Sequence, residues 1–148
     1  MRTNDDDVFA AGDITRFHDV ILGERAQNGA WGSAKEQGTV AARNMLEYES
    51  EEFSWVSSYS ITHFDFPFLT FGHPTLGDDF VERKYSDSEW RRVALKGGRV
   101  IGGVLIGDLA PQSTLKQLAR DQVDVTGQEE LLLEEEIDIE KFEVVEAE

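Results

Sequence analysis

The chain has 148 residues and no cysteine, and its 14 Lys and Arg stand against 30 Asp and Glu for a formal net charge of −16. Without cysteine it has no disulfide, thiolate nucleophile or cysteine metal site. A field of that sign repels phosphate backbones and anionic lipid, which argues against nucleic acid and membrane as partners. No apolar run approaches the roughly 18 residues that cross a bilayer, so a cytoplasmic protein of one ordinary domain or two small pieces is expected.

The first region, residues 1–47, opens with "TNDDDVFAAGD". Val8, Phe9, Ala10 and Ala11 read as a short apolar strand, Gly12 lets the backbone turn, and Asp13 then presents a carboxylate at the strand's carboxyl end. Ligands bind at such ends in open α/β sheets. A carboxylate there accepts hydrogen bonds from ligand hydroxyls, and the small residues leave room for a bulky cofactor. The alternative is a β-turn aspartate that caps the next segment. After a charged, glycine-containing loop, "AWGSAKEQGTVAARNML" has helical character, with Ala34, Gly38, Ala41 and Met45 on one narrow face. Glycine inside a helix costs about 1 kcal/mol relative to alanine, so a close approach at Gly38 is expected to compensate. Plain packing of helix on sheet would use the same small residues.

Residues 48–126 are strand-like, comprising "WVSSYSI", "HFDFPFLTFG", "FVERKYSD" and "EWRRVALKGGRVIGGVLIGD". Gly97 and Gly98 separate two runs rich in Val, Leu and Ile, which predicts a hairpin with a two-residue turn. Gly102, Gly103 and Gly107 mark close sheet contacts and lack the spacing of a phosphate loop. Leu115, Leu118, Ala119 and Gln122 then recur at helical spacing behind Ser113, a candidate N-cap. The last region, 127–148, is an acidic tail with Leu131 to Leu133, Ile137, Ile139 and Phe142 interspersed. From Glu129 to Glu148 there are ten acids and one base, Lys141. It is too apolar for a simple solvated tail and too charged for a plain core element. The carboxylates elsewhere are compatible with a high-salt organism. His18, His63 and His73 show no metal-ligand spacing, and no nucleophile motif stands beside them.

Thr3, Val8-Phe9-Ala10-Ala11-Gly12-Asp13, Trp31, Ala34, Gln37-Gly38 and Ala41-Ala42 together resemble the second FAD-binding fingerprint of the pyridine nucleotide-disulfide oxidoreductases. The likeness is greatest to the NADH oxidase, rubredoxin or ferredoxin reductase and nitrite reductase large-subunit branches. It implies that Gly12 and Asp13 lie at the ribityl chain of FAD, with Asp13 hydrogen-bonding it. It also implies that the helix start, near Trp31 and Gly32, faces the pyrimidine edge of the flavin. "RRVALKGGRVIGGVLIGD" resembles the C-terminal interface domain of those enzymes, in which an aromatic residue lies beside the flavin ring. Trp55, Phe64, Phe66 and Phe68 are candidates for that role, although core packing in an alternating strand is the reading their pattern favours. The fold class is therefore α+β: a remnant strand and helix of an FAD-binding α/β domain (1–47), then a small antiparallel-sheet interface domain with one or two helices (48–126).

Neither GxGxxG fingerprint of a complete enzyme of this kind occurs in the sequence. The resemblance therefore implies the C-terminal fragment of an FAD-dependent NAD(P)H oxidoreductase, with no catalytic residue of its own, no metal, FAD bound in the complete enzyme but not retained by this chain alone, and no activity by itself. Its partners would be the rest of an FAD- and NAD(P)H-binding chain or a second subunit, with a homodimer expected. The alternative is a stand-alone interaction module that has lost catalysis.

Overall fold

Residues 1–46 and 52–142 are described by a computed structural model of the chain, and they form the expected α+β fold with two α-helices, a two-stranded sheet and a five-stranded antiparallel sheet. The chain divides into two units, Met1–Ser57 and Ser58–Glu148. The boundary expected between residues 47 and 48 lies outside the described residues.

In the first unit the strand expected over Val8–Ala11 is reduced to one isolated antiparallel bridge, Arg2 to Phe9. The chain folds back on itself there, the Thr3 amide donating to Val8 O (3.0 Å) and the Ala10 amide to Met1 O (3.1 Å). Thr3 Oγ1 accepts from the Asp5 amide and Asp5 Oδ1 from the Asp7 amide, which closes the turn over residues 4–7 between the two paired segments. A hairpin follows, β1 (Phe17–Asp19) against β2 (Glu24–Ala26). Asp19 Oδ1 accepts from the amides of Ile21 and Leu22 and so shapes its turn.

Helix α1 (Trp31–Met45) covers this loop structure. Its inward residues are Ser33, Gln37, Val40 and Ala41, so the buried face is rotated from the expected one. Met45 is exposed, and a side chain at Gly38 would meet nothing within 4 Å. The close approach expected at Gly38 is therefore not found among the described residues. Phe17, Val40 and Phe53 form a small apolar core with Met1 and Trp55 against it, the Phe17 and Phe53 rings meeting edge to face at 4.9 Å.

The second unit is one sheet ordered β3-β4-β7-β6-β5, every neighbour antiparallel. Its strands are β3 (Ser58–Ile61), β4 (Phe68–Gly72), β5 (Asp79–Lys84), β6 (Trp90–Lys96) and β7 (Arg99–Ile106). The β6–β7 hairpin turns at Gly97 (φ 55°) and Gly98 (φ 73°), the positive pair that a two-residue turn of the required twist demands. Gly102 and Gly103 lie where β7 passes β4, and a Cβ on Gly102 would stand 2.5 Å from the His73 amide. Helix α2 (Gln112–Arg120) packs on β7 and β4 with Leu115, Leu118 and Ala119 inward. Pro111, not Ser113, occupies its N-cap position, and Ser113 is exposed inside the first turn. Pro111 already satisfies the geometry of a helix start, because its fixed φ and missing N–H cost nothing there.

Beyond α2, the described part of the acidic region is folded into this unit. Glu129–Leu133 form a 3₁₀ turn that buries Leu132 and Leu133, and Phe142 is buried as well. Cations on the sheet hold the turn by its backbone carbonyls. Arg91, 2% exposed, donates from Nη1 to Leu132 O (3.0 Å) and Glu134 O (2.7 Å). Arg83 donates to Leu133 O at 3.2 Å and to the Glu130 carboxylate at 2.9 Å. The Tyr85 ring lies between the two guanidiniums, 5.2 Å from Arg91 Cζ and 6.0 Å from Arg83 Cζ, and its hydroxyl donates to Leu133 O. Leu residues thus enter a core while their acidic neighbours stay in water, which accounts for the mixed composition of the region.

Candidate functional site

The Gly12–Asp13 turn is held by a polar cluster on the inner face of α1. Gln37, fully buried, accepts the Gly12 amide at 2.8 Å and the Thr15 hydroxyl at 2.5 Å through Oε1. Its Nε2 donates to Oγ of the equally buried Ser33 at 3.0 Å, one helical turn away. Thr15 Oγ1 also bonds Gly12 O at 2.8 Å. Buried amides and hydroxyls are tolerated only when paired, and here each finds a partner. Gly12 has φ 88°, a conformation that other residues adopt with strain. One glutamine therefore fixes the backbone from which Asp13 projects.

The Asp13 side chain is exposed, and its main-chain carbonyl accepts from Gln27 Nε2. Its carboxylate borders Gly29, where a Cβ would come within 3.7 Å of Oδ2. That position is one residue before the N-cap of α1, Ala30, which offers no side-chain cap, and the first helical turn has no acid. Among the described residues nothing accepts from the amides of Trp31, Gly32 or Ser33. A 15-residue helix with bare N-terminal amides favours an incoming carbonyl oxygen or negative charge. Trp31 is 80% exposed with Lys35 Nζ 5.5 Å from its ring, and a Cβ on Gly32 would touch the Trp55 ring at 3.4 Å. The Trp55 indole N–H is buried with no acceptor among the described residues.

All four residues singled out from the sequence, Gly12, Asp13, Trp31 and Gly32, thus fall at the turn and at the start of α1 within the first unit. The residues missed are Thr15 and Ser33, and Gln37, part of the fingerprint pattern, was given no role of its own. The available signal was the Ser33 to Gln37 spacing, one turn apart on the side that carries Val40 and Ala41. Of the aromatic candidates for a ring contact, Trp55 is half-buried beside Phe53, as core packing requires. Phe64 and Phe66 are 73% and 51% exposed on the β3–β4 connection, so core packing does not hold for them. Among the described residues no three His, Asp or Glu side chains gather as a metal site, and no helix is long and apolar enough to cross a membrane.

Two helices, a two-stranded sheet and a five-stranded antiparallel sheet match the C-terminal region of a class of flavin-dependent oxidoreductases. The chain is homologous to the C-terminal part of pyridine nucleotide-disulfide oxidoreductases, a group that includes NADH oxidases and ferredoxin and rubredoxin reductases. It is 32% identical over 157 residues to the pyridine nucleotide-disulfide oxidoreductase domain-containing protein 1 of Danio rerio, a match covering 96% of this chain and 31% of that protein. The Homo sapiens protein of the same name is 29% identical over 161 residues, with 96% and 31% covered. In fold it matches an FAD-dependent pyridine nucleotide-disulphide oxidoreductase from Desulfovibrio vulgaris with a TM-score of 0.72 at 22% identity, covering 98% of this chain and 37% of that one. The chain spans about a third of the length of the curated relatives it matches. No family model matches the sequence.

Proposed function

We propose that this chain supplies the ribityl contact and the interface domain of an FAD-dependent NAD(P)H oxidoreductase. In such an enzyme hydride passes from NAD(P)H to flavin, and electrons then pass to an acceptor. The observation that carries the reading is the Gly12–Asp13 turn, locked by Gln37, with its carboxylate beside the bare start of α1. Asp13 accepts from ribityl hydroxyls, and the amides near Trp31 and Gly32 donate to the pyrimidine edge, where the helix dipole stabilises charge on the reduced ring. FAD supplies the hydride-accepting chemistry when bound. This chain's residues bind and orient the cofactor, and pyrophosphate and nicotinamide recognition fall to an FAD- and NAD(P)H-binding portion, in the same polypeptide or in a second subunit. Assembly as a homodimer through the second unit, in the cytoplasm, completes the reading.

The test is to purify the 148-residue chain, add FAD and follow flavin fluorescence and NADH oxidation. Weak flavin binding without turnover is expected, and robust NADH turnover by this chain alone overturns the reading. A second reading, a non-catalytic interaction module, is favoured by the exposed Tyr59, Phe64 and Phe66 on and beside edge strand β3. It expects self-association with no flavin binding at any concentration.

A further inference from the structure

The first unit contains a cavity of 590 Å³, within the range of small-molecule sites. Its lining inverts the charge of its surroundings. Residues 1–57 hold eleven Asp and Glu against five Lys and Arg. Among the described residues, however, the cavity is lined by three of those five cations, Arg2, Arg16 and Arg25, and by one acid, Glu52. Among the described residues most of these guanidinium donors are uncommitted. Arg2 gives one bond to Asp6 O and Arg16 one to Arg25 O, each at 2.9 Å. The Arg25 guanidinium has no hydrogen bond or ion pair among the described residues. The edge-to-face pair Phe17 and Phe53 closes the floor.

We infer that this cavity binds a small organic phosphate, with the phosphate on Arg16 and Arg25 and the organic body against the Phe17–Phe53 floor. A guanidinium presents a planar fork of N–H donors that matches phosphate oxygens in pairs. A phosphate monoester brings nearly two negative charges and three acceptor oxygens, whereas a lone carboxylate leaves most of these donors unmatched. The overall charge of −16 does not oppose this, because in physiological salt charges beyond a Debye length of about 8 Å are largely screened. Neither Asp13 nor the start of α1 lines the cavity, so the inference stands apart from the flavin reading.

The experiment is calorimetric titration of the full chain with AMP at physiological ionic strength, with adenosine and inorganic phosphate alongside. Saturable one-to-one binding of AMP is expected, with competition by inorganic phosphate and no binding of adenosine at the same concentrations. Arg16→Gln and Arg25→Gln each weaken AMP by about tenfold or more, the value of a lost charge-assisted hydrogen bond. Both side chains are exposed, so melting temperatures near that of the unaltered chain verify folding. Equal binding of adenosine, undiminished binding in both arginine variants, or no saturable binding overturns the inference. AMP binding lost in Asp13→Asn but kept in the arginine variants also overturns it, while leaving the flavin reading intact.

Discussion

Among the largest fully buried side chains of the described residues, ten belong to the second unit and all are apolar, Leu69, Phe71, Leu105 and Leu118 among them. The two from the first unit are Ser33 and Gln37. A dry core spreads its stabilisation over many contacts, each roughly proportional to area removed from water. A polar hub concentrates it in a few groups whose loss leaves others unpaired. The second unit is thus built as a scaffold, and the first spends its deepest positions on holding one turn in place.

The largest effect expected comes from the scaffold. Leu105→Ala, at a site with no exposure, should cost about 2–5 kcal/mol in urea denaturation, the range for a buried leucine replaced by a cavity. A cost below about 1 kcal/mol would mean the sheet is loosely filled, and the contrast between the units would collapse. Next comes the hub. Gln37→Leu removes the acceptor of the Gly12 amide and the Thr15 hydroxyl, so roughly 1–3 kcal/mol of destabilisation is expected. Hydrogen exchange at the Gly12 amide should quicken in that variant, and unchanged exchange would show that the turn does not depend on the hub.

A smaller, pH-dependent effect separates the polar clamp of the second unit from its apolar core. The Tyr85 phenol is held above its ordinary value, chiefly by burial, against the opposing pull of Arg91 and Arg83. A raised folded-state value means that folding favours the protonated phenol. Its contribution is therefore whole below about pH 10 and is lost as the pH rises through the folded value. Tyr85→Phe should reduce the alkaline loss of stability, read as the urea midpoint against pH, and an identical alkaline profile would remove Tyr85 from the clamp's energetics. The smallest effect is at Ser113. Inside the first turn of α2 and exposed, it should tolerate alanine within about 0.5 kcal/mol, whereas loss of a true cap would cost about 1 kcal/mol.

These contrasts follow how far each region could be read from sequence. The β6–β7 hairpin was legible because two adjacent glycines between β-rich runs have few other uses. The Gly12–Asp13 turn was legible because a small-residue strand end followed by a carboxylate is chemically distinctive. The hub role of Gln37 was not, since polar residues on a helix read as solvent-facing, and its partners lie 22 and 25 residues away in sequence. The stretch "HFDFPF" alternates like a half-buried strand, yet Pro67 supplies no N–H for a ladder and β4 begins only at Phe68. The exposure of Phe64 and Phe66 follows. Leu131 to Leu133 lacked a visible destination because the cations that receive their carbonyls, Arg83 and Arg91, belong to strands some 40–50 residues earlier.

The central claim is that the Gly12–Asp13 turn and the start of α1 form the flavin contact. The most direct measurement is a backbone amide NMR titration of the chain with FAD, repeated on Asp13→Ala. The account expects shifts concentrated at Gly12, Asp13, Trp31 and Gly32 that shrink in the variant. Shifts confined to other residues, or a pattern indifferent to Asp13, would contradict it.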